Sequence, residues 1–128
     1  CGRTQRGQPA VSLTPNIVLH MLPKAAWEAV PPGGDYLADT LASEGFVHCT
    51  AEPPILETIA NRFYRSEGGD WLILLVDLDK VTAPVRWEAA DGHLFPHIYG
   101  PIARAAVVRI VPFPRRADGT YQLPEGLQ

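Results

Sequence analysis

The chain has 128 residues, 46% of them hydrophobic and 20% charged, and a net charge of −3. Those values fit one globular domain able to bury a core without disulfide staples. An acidic balance speaks against a protein built to grip a nucleic-acid backbone, and no apolar run approaches the ~20 residues of a membrane-spanning helix.

Residues 1–15 are rich in Gly, Gln, Ser, Thr and Arg and show no periodicity, which predicts a flexible N-terminal extension. From Asn16 onward, Ile17, Leu19 and Met21 alternate with Val18, His20 and Leu22, the period of a strand. Pro23 suits the start of a helix that places Ala26, Trp27 and Val30 on one face before Pro31-Pro32-Gly33-Gly34 ends it. The stretch 35–44 reads as a loop bearing one helical turn, with Tyr36, Leu37 and Leu41 available for packing. Phe46 to Thr50 reads as a short strand.

The strongest helix opens at Pro53 or Pro54, where Leu56, Ile59, Ala60 and Phe63 follow the i, i+3, i+4, i+7 pattern. Trp71 to Val76 is apolar on both faces, as a central buried strand would be. Val85 to Glu88 alternates again, Asp91-Gly92 makes a turn, and Pro96 confines any strand around it to an edge or a bulge. Ala105 to Val111 is a last strand. The order predicts a single compact α+β domain over 16–114, with largely antiparallel sheet and two main helices, and a C-terminal tail over 115–128.

Two cysteines make no disulfide framework, so a reducing, cytoplasmic setting is expected. Strand alternation sends Phe46, His48 and Thr50 to one face and Val47 and Cys49 to the other, which makes Cys49 a core thiol. Arg104, Arg109, Arg115 and Arg116 read as solvated charge near a strand end rather than a basic patch.

The distinctive chemistry sits in Gly45-Phe46-Val47-His48-Cys49-Thr50, Val85-Arg86-Trp87-Glu88 and Phe95-Pro96-His97-Ile98-Tyr99-Gly100-Pro101. His48, at a strand end just before a helix start, is placed to hold a ribose or phosphate oxygen. His97 between two aromatic residues suits a ligand floor, and Glu88 is the best candidate for a functional carboxylate. His20 is open to two readings, a hydrogen-bonded core histidine or a site residue. His20, His48 and His97 are widely separated, with no i, i+4 pair and no CxxC, so no metal is expected. No P-loop, GxGxxG or nucleophile elbow is present.

Together with Leu19-His20 and Asn61-Arg62-Phe63, these segments resemble the uncharacterised bacterial family known as domain of unknown function 952, from about Ile17 to Pro112. That family in turn resembles the ADP-ribosyltransferase superfamily, whose members bind NAD in a cleft between two small sheets. His20 matches the first-strand histidine or arginine of that superfamily. Val47-His48-Cys49-Thr50 is similar to the second-strand motif of its RNA 2′-phosphotransferase branch. A late Gln-x-Glu or Glu-x-Glu motif is absent, a departure from the better-known pattern.

The resemblance implies a nucleotide such as NAD, or a phosphoribosyl-type ligand, as partner and substrate. An ADP-ribosyl or phosphoryl transfer would follow from it, with His48, Glu88 and His97 as catalytic residues. His20, His48, Thr50, Arg62, Trp87 and Tyr99 would bind the ligand, Tyr99 by stacking on a planar ring. The alternatives are a non-catalytic module binding a small metabolite and a histidine-metal hydrolase.

Overall fold

In a computed structural model, which describes residues 16–127, the chain runs β1 (Ile17–Pro23), α1 (Lys24–Glu28), α2 (Asp39–Ser43), β2 (Val47–His48), α3 (Pro53–Phe63), β3 (Trp71–Asp77), β4 (Val85–Ala90), β5 (His93–Ile98) and β6 (Val107–Pro112). Single 3-10 turns stand at Leu78–Lys80 and Arg104–Ala106. The extension expected over 1–15 lies outside the described residues. The result is a small α+β domain with two three-stranded antiparallel sheets, ordered β1-β3-β6 and β2-β5-β4.

β3 takes the central position in the first sheet because its apolar run can be covered on both faces. Val18 and Leu22 of β1 join Leu74 and Val76 of β3 on one face, packed against Val47 and Ile98 of the second sheet. Leu19, Ile73 and Leu75 form the other face and pack on Leu56 and Ala60 of α3. Phe63, expected on the buried face of α3, is instead 58% exposed at the helix's last residue, where it lines a cleft between α3 and the sheets.

The two sheets are joined by one short segment. Val47 and His48 pair with Ile98 and His97 of β5. Cys49 N–H then donates to Pro96 O, and Thr50 switches to Leu19 of β1 through two backbone hydrogen bonds of 2.7 and 2.8 Å. This overturns the expected edge position for Pro96, since β5 is the central strand of its sheet. The proline is tolerated because its missing N–H falls where β2 peels away toward β1, so little ladder is lost. The hairpin between β4 and β5 turns on Asp91 (φ 49°) and Gly92 (φ 82°), the two positive φ values of a type I′ turn.

The segment after Pro114 departs from the expected tail. Tyr121 is fully buried, Leu123 and Leu127 nearly so; Tyr121 and Leu127 pack with α3 and the first sheet, and Leu123 N–H donates to Glu57 of α3. Asn61 of α3 accepts from Tyr121 N–H and donates to Tyr121 O, and Arg115 ties Arg65 O, Glu67 O and Gly119 O together. Arg104 likewise lies 4.6 Å from the Trp27 ring centroid and donates to Val30 O and Pro31 O. These arginines are structural ties. Their hydrogens go to backbone carbonyls of the loops they tie.

Candidate functional site

Antiparallel pairing decides which side chains share a face. His48 is opposite His97, Arg86 opposite His97 on the other side, and Glu88 opposite Phe95, so all five side chains leave the second sheet from one face. Trp87 pairs with Pro96 and leaves from the opposite face, half exposed. It therefore stands apart from the cluster it was expected to join.

His97 is held on three sides. Its Nδ1 lies 2.7 Å from Glu88 Oε1 and, because a carboxylate can only accept, carries the hydrogen. Tyr99 O–H donates to the same oxygen at 2.5 Å. The Phe46 ring stacks on the imidazole at 4.3 Å between centroids and 25° between planes. With Nδ1 committed, the other nitrogen of His97, Nε2, has no protein partner among the described residues.

The His48 ring meets His97 edge-on at 5.2 Å and is half exposed, with Nε2 lying 3.2 Å from Glu44 Oε2. Each of the two imidazoles thus has its own carboxylate. The bond from Tyr99, then that from His97, holds the Glu88 carboxyl below the usual carboxylate range, and the same bond pushes the Tyr99 phenol up. Tyr99 was expected to stack on a ligand ring, but its hydroxyl is committed to Glu88 and its ring lies against Phe46 and Arg86. Gly100 follows because Ala83 packs against it, where an added Cβ would come to 2.7 Å.

His20 takes the first of its two readings, the hydrogen-bonded core histidine. It is buried, with Nδ1 2.7 Å from His48 O and Nε2 3.0 Å from the Tyr36 hydroxyl, so neither nitrogen is open to a metal or a ligand. Burial pushes it down to about 4, which keeps it neutral at ordinary pH. Its bond to His48 O pins the backbone that carries His48. Cys49, facing the core as expected, is buried, and that burial pushes its thiol up to about 12.

A cleft of about 950 Å³ opens between the sheets and α3, and His20, Thr50, Arg62, His48 and His97 all line it. Glu88 and Tyr99 stand behind His97, outside the lining. Arg62 is at the rim with its guanidinium 5.1 Å from the Phe63 ring centroid. Thr50 is buried at the switch between sheets. Among the described residues, no three His, Cys, Asp or Glu side chains come together to hold a metal.

Three lining or supporting residues escaped the sequence reading as site components: Tyr36, Glu44 and Phe46. Glu44 and His48 are four apart in sequence, a spacing that carries weight on a helix but not across the turn that separates them here. Tyr36 reaches His20 across 16 positions, and no local pattern signals such a pair.

A family model described as protein of unknown function (DUF952) matches residues 21–110. No curated protein matches the chain. Among solved structures, the X-ray crystal structure of protein CC0527 from Caulobacter crescentus aligns with a TM-score of 0.73 at 27% identity, covering 84% of this chain and 94% of that one. A double mutant of the same protein gives the same values. Its solution NMR structure aligns with a TM-score of 0.69 at 26% identity, over 84% of this chain and 93% of that one.

Proposed function

The chain belongs to the DUF952 family, and from that premise we propose that its cleft binds an NAD-type or phosphoribosyl ligand and that His97 and His48 exchange protons with it. The observation that carries this reading is the pair of abutting imidazoles, 5.2 Å apart in one cleft, each with its own carboxylate. A carboxylate on Nδ1 fixes the tautomer of His97 and leaves Nε2 as a base on a residue that lines the cleft.

In a phosphoryl transfer, His97 Nε2 takes the proton of the attacking hydroxyl while protonated His48 gives its proton to the departing oxygen. In an ADP-ribosyl transfer, nicotinamide leaves as a neutral molecule and only the base is needed. Glu88 acts through His97 in either case, because it stands behind that ring and not in the cleft lining. That placement keeps the Glu88 carboxylate from lying against an oxocarbenium sugar, the charge an ADP-ribosyl transfer develops, and favours the phosphoryl branch. An ADP-ribosyltransferase-like arrangement is supported by two small sheets that share one junction, at Cys49 and Thr50, beside a cleft.

The test is an amide NMR titration of the ¹⁵N-labelled protein with NAD and with ADP-ribose. Shifts are expected at His48, Thr50, Arg62 and His97, and His97→Ala should bind about 10- to 100-fold more weakly, the cost of a charge-assisted hydrogen bond. No shifts at millimolar ligand would remove the nucleotide reading. Binding without product over long incubation would leave a non-catalytic metabolite module.

A further inference from the structure

Tyr36 has no part in the proton exchange above, yet the bonds around it fix what its hydroxyl can do. His48 O can only accept, so His20 Nδ1 at 2.7 Å carries a hydrogen. The ring is buried and neutral, and a neutral imidazole bears one hydrogen, which leaves Nε2 a bare acceptor. The Tyr36 hydroxyl at 3.0 Å therefore gives its single hydrogen to His20. Only lone pairs remain on the Tyr36 oxygen.

Its position is equally fixed. Tyr36 N–H donates to Ile102 O at 2.9 Å and Ile102 N–H returns to Tyr36 O at 3.0 Å, while the ring lies against His20 and Trp27. Both Tyr36 and His20 line the cleft.

We propose that Tyr36 determines specificity in the cleft as an acceptor-only group, taking a hydrogen bond from a ligand hydroxyl or amide N–H and turning away phosphate and carboxylate oxygens. The inference rests on the phosphoribosyl reading and orients the ligand within it. Phosphate sits toward His48 and His97, whose imidazoles become donors on both nitrogens once they take up a second proton, and a sugar hydroxyl sits toward Tyr36, which has no such proton to offer. The physical reason is that two acceptors facing each other across a dry wall leave both unpaired, which costs more than the bond itself yields.

The experiment compares ribose 5-phosphate with inorganic phosphate by isothermal titration on wild type, Tyr36→Phe and His97→Ala. Wild type should bind the sugar phosphate at least about tenfold more tightly than phosphate; Tyr36→Phe should bring the two together by weakening the sugar phosphate alone; and His97→Ala should weaken both. Sugar-phosphate affinity unchanged in Tyr36→Phe overturns the inference and leaves the phosphoribosyl reading intact. An equal loss for both probes in Tyr36→Phe also overturns it, since Tyr36 would then only shape the site. Binding of neither probe to wild type removes the phosphoribosyl reading itself, and this inference with it. A ring ¹⁵N–¹H correlation on wild type provides a check without any variant: His20 protonated on Nε2 in place of Nδ1 would also overturn the assignment.

Discussion

Hydrogen-bond polarity at single residues sets the chemistry of this cleft. Glu88 receives two donors on one oxygen, from Tyr99 and from His97, and is held below its ordinary range with the Tyr99 bond the larger cause. Tyr99→Phe should therefore raise the Glu88 titration midpoint toward the ordinary carboxylate value, read by carboxyl ¹³C NMR. A midpoint that stays put would show that the phenol does not hold the carboxylate in solution. His97 stood out in the sequence as a candidate because two prolines and two aromatics crowd around it; its pairing with Glu88, nine positions away, became visible only through the β4–β5 register.

Among the elements, α3 depends on the segment that follows β6. Asn61 satisfies both backbone groups of Tyr121, which is fully buried. Asn61→Ala leaves the buried Tyr121 N–H unpaired and its C=O held by Arg116 alone, a loss of roughly 1–3 kcal/mol, and Tm should fall by about 5–15 °C in a domain of this size. Thermal unfolding followed by circular dichroism measures it, and an unchanged Tm would show the segment to be loosely attached. The α3 helix itself was legible from its apolar spacing. Its cover was not, because Arg115 to Leu127 mixes Gly, Pro and polar residues, and its few apolar anchors have no period to read.

For the whole molecule, the buried neutral His20 links stability to pH. Its value is about 4 in the fold against 6.5 for a free imidazole, so between those limits the unfolded chain binds the extra proton. Stability is full above about pH 6.5 and falls as pH drops toward 4, by about 3 kcal/mol at most from this group. Urea midpoints across that range should decline with acid, and His20→Gln should flatten part of the slope. An identical slope in the variant would assign the acid sensitivity to other groups.

The sequence by itself determined the α+β class, the strands around Ile17–Pro23 and Trp71–Asp77 and the helix at Pro53–Phe63, because each is written in a local period. Only the tertiary structure decided that β5 lies at the centre of its sheet in spite of Pro96, and that Trp87 faces away. It also put Glu88 behind His97 and bonded His20 to Tyr36. Those outcomes depend on which strand pairs with which and in what register, and a shift of one residue would send every side chain to the other face. Pairing is a property of the assembled chain, so no single stretch of it carries the information.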